Sequence, residues 1–167
     1  MPTSIKMTSC HKCGGQKFRA AEKVLTRTVD ERKFTAKVAG KQCLRCGSIF
    51  FSATDADYFQ LAVAARLADL GALSGEAFAF MRKALGFDAA DVADLYGVEP
   101  EAVIRWESGD RILDRAVFIS LAAVVQDKLL GRSTVLDWFR ALDRPAPRRR
   151  APIQVEVFTP PPRPRRG

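Results

Sequence analysis

Four cysteines constrain this chain more than any other feature. Cys10 and Cys13 form one CxxC pair, Cys43 and Cys46 form a second, and 29 residues lie between the pairs. Both pairs run into glycine, in Cys10-His11-Lys12-Cys13-Gly14-Gly15 and Cys43-Leu44-Arg45-Cys46-Gly47, and glycine at that point lets the backbone close around the sulfurs. Two such knuckles supply four thiolates, a tetrahedral donor set with no open position for a substrate. The spacing therefore predicts one structural Zn²⁺ held by Cys10, Cys13, Cys43 and Cys46. Disulfides suit an oxidising compartment, and a redox centre needs one CxxC rather than two matched ones. His11, inside the first knuckle, is the alternative ligand, although a solvent-facing position is expected of it. Lys12, Lys17, Lys41 and Arg45 would offset the excess negative charge of the thiolates.

Between the knuckles, residues 23–27 and 34–38 read as short strands. Phe34, Ala36 and Val38 alternate with Thr35 and Lys37 at the period of a half-buried strand, and residues 29–32 can turn the chain. Ile49, Phe50 and Phe51 follow the second knuckle and are expected to cover the metal. Residues 1–52 thus read as a small zinc-ribbon-like β module whose folding includes metal binding.

Beyond residue 52 the periodicity becomes helical. A linker helix over 53–73 is expected to start at Thr54-Asp55-Ala56-Asp57, with Phe59, Val63, Leu67 and Leu70 on one face. Ser74 caps the next helix, whose stripe is Phe78, Met81 and Leu85 and whose stop is Gly86. Asp88, with Asp91 three residues on, caps a third, in which Val92, Ala93 and Leu95 face inward up to Gly97. Glu99 and Pro100 begin a fourth, with Val103 and Trp106 inward, Glu101, Ala102 and Arg105 outward, and Gly109 as its end. Asp114 caps a long apolar helix over 115–130 and Ser133 a shorter one through Trp138, Phe139 and Leu142. The fold class is α+β, with the all-α part over 74–143. Residues 144–167, with RPAPRRRAP and TPPPRPRRG, form a Pro/Arg-rich tail expected to be extended and mobile. Inside it Ile153, Val155 and Val157 alternate with polar residues, the pattern of a strand in search of an edge.

Charge is distributed unevenly along the chain. Residues 1–52 hold 11 Lys/Arg and 3 Asp/Glu, residues 53–143 hold 9 and 15, and residues 144–167 hold 7 and 1. A basic module and a basic tail flank an acidic helical block, which points to an anionic partner. No apolar run approaches a membrane span and the N-terminus lacks a signal-peptide core, so a soluble cytoplasmic protein is expected. A single histidine, no paired acid and base, and no Gly-rich phosphate loop leave no constellation for catalysis.

Residues 87–109, FDAADVADLYGVEPEAVIRWESG, place two short helices about Gly97-Val98 and end in Arg105-Trp106-Glu107-Ser108-Gly109. The pattern resembles a helix-turn-helix of the XRE/phage-repressor class. The order of a double-CxxC ribbon, a linker helix and this motif resembles the MqsA/YgiT-type antitoxins of bacterial toxin–antitoxin systems, over residues 10–130. That resemblance implies a zinc-holding N-terminal module that binds a cognate toxin. It also implies a C-terminal domain that forms a homodimer and binds a palindromic double-stranded DNA operator. Arg105 takes the position suited to bidentate contact with guanine and Glu101 a base-reading position one turn earlier, with Ala102 between them. Arg111, Arg115 and the tail residues Arg148, Arg149 and Arg150 would meet phosphates. The sequence departs from the class in placing Ala89 where a DNA-contacting Gln is common, and Leu113 where a proline is common. Asp88, Asp91, Glu99 and Glu101 crowd acid near the reading surface. The alternative is an interaction protein that keeps this fold but has lost or weakened sequence-specific DNA binding.

Overall fold

The computed structural model describes residues 8–142 of the chain. The tail at 144–167, with Arg148, Arg149, Arg150 and the alternating segment at 153–157, lies outside the described residues.

A long antiparallel hairpin comes first. Strands β1 (Phe18–Val29) and β2 (Arg32–Cys43) have twelve residues each, paired without interruption from Phe18↔Cys43 to Val29↔Arg32. A two-residue strand β3 (Ile49–Phe50) lies along the other edge of β2, opposite Lys41 and Gln42. The hairpin turns on Asp30 and Glu31, both at positive φ, 53° and 60°. That left-handed pair matches the right-handed twist of the strands, and Arg32 holds it by an ion pair to the Asp30 carboxylate. The strands expected at 23–27 and 34–38 are the centre of this ladder, which runs well beyond both. Residues 18–22 show no alternation because both their faces are largely open, so pairing rather than burial carries them.

Six helices follow: α1 (Ala53–Asp69), α2 (Gly75–Leu85), α3 (Ala89–Tyr96), α4 (Pro100–Ser108), α5 (Arg115–Leu129) and α6 (Thr134–Leu142). Their starts are set by side-chain oxygens accepting from free backbone N–H groups. Ser74 accepts from Ala77 and Asp114 from Ala116 and Val117, while Asp88 and Asp91 form a reciprocal capping box. Glu99 occupies the cap of α4 without a side-chain bond, and Pro100 opens the helix. Three details depart from expectation. α1 starts from Ser52, whose hydroxyl accepts from the Thr54 N–H, so Thr54 is already helical. Leu95 is only half-buried, and the adjacent Tyr96 packs against the core and hydrogen bonds to α5. Ser133 donates to the Asp137 carboxylate, and the free N–H of Val135 goes to the Asp127 carboxylate of α5.

Two apolar cores share α1. The larger gathers Leu61 and Ala64 of α1, Phe78 and Met81 of α2, Val92 and Ala93 of α3, Val103 and Trp106 of α4, and Leu121 and Val125 of α5. Leu113, which stands where the resembled class commonly has a proline, is also buried there. The smaller core surrounds Val29 at the hairpin tip with Phe59, Val63 and Leu67 of α1 and Ala72 and Ala77 beyond it. The segment expected as a linker helix is thus buried along two faces, and Leu70, expected on its stripe, is 47% exposed at its end. Each fully buried Leu or Val side chain contributes roughly 1.5–3 kcal/mol, so the hairpin tip is fastened to the helices. No helix among the described residues is long and apolar enough to cross a membrane.

Candidate metal centre and helix pair

The two knuckles fold alike. Cys10 N–H donates to the Gly15 carbonyl at 2.8 Å and Gly14 N–H to the Cys10 carbonyl at 2.8 Å. Cys43 N–H donates to Ser48 and Gly47 N–H to Cys43, both at 2.9 Å. Gly14 and Gly47 sit at φ 71° and 73°, where a side chain would be strained. Arg45 donates to the Cys13 carbonyl at 3.1 Å, and Leu44 N–H to the Lys17 carbonyl at 3.0 Å, so the second knuckle is laced to the segment around the first.

These bonds bring the four sulfurs together. Cys10 Sγ lies 3.6 Å from Cys46 Sγ and Cys13 Sγ 3.6 Å from Cys43 Sγ, and all four lie within 4.8 Å of one another. The edge of a tetrahedron with metal–sulfur bonds of about 2.3 Å is about 3.8 Å, so the cluster is of the size that one ion fills. All four cysteines are free thiols. The Ser48 hydroxyl and N–H beside Cys46 pull its thiol down to about 6. Backbone N–H bonds from Cys46 also lower Cys43, against burial. Cys13 is pushed up to about 12: a Gly15 backbone bond favours its thiolate, but burial and the neighbouring sulfurs outweigh it. His11 is exposed and outside the sulfur group, with its ring edge-on to Phe50 at 6.2 Å. Of the aromatics expected over the metal, Phe50 and its neighbour Ile49 form β3, and Phe51 lies under the Lys23 ammonium at 4.8 Å.

The second candidate surface is built on α3 and α4. α3 ends at Gly97, φ 61°, and Val98 N–H closes on the Ala93 carbonyl at 3.1 Å. Ala93 is buried in the core that α3 and α4 share, the place where a small residue permits close crossing. Val103 and Trp106 fix the inner face of α4, with the Trp106 ring edge-on to Phe78 at 6.1 Å. Glu101 and Arg105 are exposed one turn apart. Ala102, expected outward, is half-buried against the core. Arg111 N–H donates to the Arg105 carbonyl at 3.0 Å, and its guanidinium lies 5.8 Å from the Trp106 ring. An open hollow of about 520 Å³ brings together Glu99, Glu101, Ala102, Arg105 and Arg111. Arg115, exposed at the start of α5, is not part of it.

Two contacts that hold α4 were not visible in the sequence. Arg82 of α2 donates to both carboxylate oxygens of Glu107, at 2.5 and 2.9 Å, and to the Phe87 carbonyl at 2.8 Å. A Cβ on Gly75 would lie 2.4 Å from the carbonyl oxygens of both Trp106 and Glu107, so only glycine lets the start of α2 meet the end of α4. The Arg-Trp-Glu-Ser-Gly motif contains Glu107, but nothing local names a partner 25 residues earlier. No protein-family model matches the chain, and no curated protein matches it.

Proposed function

We propose that the chain is a DNA-binding transcriptional regulator, the antitoxin of a type II toxin–antitoxin pair. It acts as a homodimer on a palindromic operator, with the N-terminal module as the surface for a cognate toxin. One observation carries this reading. α4 presents Arg105 and Glu101 on an exposed ridge, while its back is fixed by Val103, Trp106 and the Arg82–Glu107 pair. A helix presented so rigidly across a short turn from α3 suits a recognition helix in the major groove. Arg105 would read guanine O6 and N7, and Glu101 would accept from cytosine N4. Arg111, Arg115 and the tail arginines Arg148, Arg149 and Arg150 would hold phosphates. The charges of Asp88 and Asp91 are engaged by backbone N–H groups at a helix start, where the helix dipole favours them.

The metal of the N-terminal module is Zn²⁺ in this reading. Four soft sulfur donors at tetrahedral spacing favour it, and a fully occupied shell assigns it a structural role. The helix pair is tested by selecting bound duplexes from a random-sequence pool at near-physiological salt. Enrichment of a palindrome, weakened roughly 10- to 100-fold by Arg105→Ala, is the expected result; a pool that stays random overturns the reading.

A second reading has its own observation. Ile112, next in sequence to Arg111, is 93% exposed, and Ile104, on α4 with Glu101, is also exposed. Apolar groups beside acid suit a protein partner better than phosphates. The interaction-protein reading predicts that the same selection enriches nothing.

A further inference from the structure

Basic residues recur at every fourth position of both long strands: Arg19, Lys23 and Arg27 on β1, and Lys33, Lys37 and Lys41 on β2. Residues four apart on a strand share a face, as do residues directly opposite across an antiparallel ladder. The register sets Arg19 against Gln42, Lys23 against Val38 and Arg27 against Phe34. It sets Lys33 against Thr28, Lys37 against Val24 and Lys41 against Ala20. The two triplets therefore occupy opposite faces of the hairpin.

The first triplet is engaged within the protein. Arg19 donates to Gln42 at 2.8 Å, Lys23 lies over Phe51, and Arg27 lies 5.9 Å from the Phe80 ring. This is the face on which Leu25, Phe34 and Ala36 pack toward the helices. The second triplet lies on the opposite face, where Lys41 is half-buried beside Phe50. Lys33 and Lys37 are exposed, and Lys37 meets Glu22 at 3.8 Å with both side chains largely in solvent, a contact of little energy. Glu22 is the sole carboxylate in the two strands. Between the lysines the face carries short side chains, including Thr26 directly opposite Thr35.

We propose that this face is a second nucleic-acid surface, one that holds duplex DNA by its phosphates without regard to sequence. Duplex DNA is the partner already assigned to α4, so the proposal rests on that reading and extends it to the N-terminal module. Charge complementarity favours it. Lys33 to Lys41 spans about 26 Å at about 3.3 Å per residue, and duplex DNA presents a negative charge roughly every 1.7 Å along its axis. Lysines supply the counterion-releasing contacts, and threonine hydroxyls can donate to phosphate oxygens. An acidic protein would find a single exposed aliphatic side chain, Val24, between Lys33 and Lys37 and no apolar pocket to seat an anchor. A single strand would find no aromatic side chain on this face between Lys33 and Lys37, and Phe50, opposite Lys41, is half-buried with its ring against His11.

The test measures binding of the full-length, zinc-loaded protein to a random-sequence duplex across a salt series. Lys33→Gln/Lys37→Gln should make the slope of log affinity against log salt shallower by about 1.8, and each single variant by about half that. Lys33→Arg/Lys37→Arg should keep the wild-type slope, and melting temperatures should match throughout. An unchanged slope and affinity in the glutamine variants, or a wild-type protein that ignores the random duplex at low salt, overturns the proposal. Arg105→Ala separates the two readings, because it should leave random-duplex binding intact. A shallower slope in the glutamine variants without any preferred sequence would sink the operator reading alone. A preferred sequence with an unchanged slope would sink the hairpin surface alone.

Discussion

Arg82 grips Glu107 through two parallel N–H···O bonds, with only 11% and 17% of the two side chains exposed. Glu107 and the nearby Asp88 and Asp91 keep the guanidinium firmly charged, against the cost of burial. The pair ties the last turn of α4 to α2, while a third bond from Arg82 to the Phe87 carbonyl holds the entry to α3. One side chain thus sets the position of both members of the helix pair.

Removing one partner leaves the other buried and uncompensated, so Glu107→Ala should cost about 2–4 kcal/mol. Replacing both with apolar residues should cost less than either single change. Urea denaturation of the two single variants and the double variant measures this, and a near-zero coupling between the sites would show the pair to be incidental.

Gly75→Ala tests the contact between the start of α2 and the end of α4. The added methyl meets backbone oxygens, which cannot rotate away, and such overpacking typically costs 1–3 kcal/mol. The same change raises helix propensity, so a rise in melting temperature would contradict the contact.

In the zinc reading, chelation or Cys43→Ser should abolish a one-to-one stoichiometry, and zinc affinity should weaken as pH falls because each thiol must lose its proton. None of the four cysteines belongs to either apolar core of the helices. Helical circular dichroism should therefore persist after metal loss, while hydrogen-exchange protection disappears from residues 10–17 and 43–50. Loss of the helices along with the metal would refute that separation.

Tyr96 gives the fold an alkaline limit. Its hydroxyl donates to the Val117 carbonyl and shares a hydrogen bond with Ser120, and burial pushes the phenol up to about 12 although the Ser120 bond pulls the other way. A raised folded value means the contribution is complete below about pH 10 and is lost as pH climbs toward 12, amounting to about 3 kcal/mol. Tyr96→Phe should flatten that part of the stability profile while costing about 1 kcal/mol at neutral pH. Parallel profiles for the two proteins would exclude the effect.

The sequence was most legible where structure is local. Ser74, Asp88 and Asp114 announce helix starts because a cap needs only its own next three residues, and the paired knuckles follow from four cysteines and their glycines. Leu95 and Tyr96 show where periodicity gives out: α3 has eight residues, too few for apolar spacing to decide which of two neighbours turns inward. The second face of α1 was hidden because its partner, Val29, comes from a hairpin whose own alternation covers only its middle. Long-range contacts such as Arg82 to Glu107 leave no local trace at all.

The hairpin has no loose end. Val29 is 2% exposed among the helices, and eleven residues further along the partner strand Cys43 stands in the sulfur cluster, about 36 Å away at strand rise. A partner that seized the knuckles would pull along the strands, loading the rungs of the ladder in parallel instead of unzipping them one at a time. The force would arrive at α1, the helix common to both cores, so the sulfur cluster has a mechanical line into the helices.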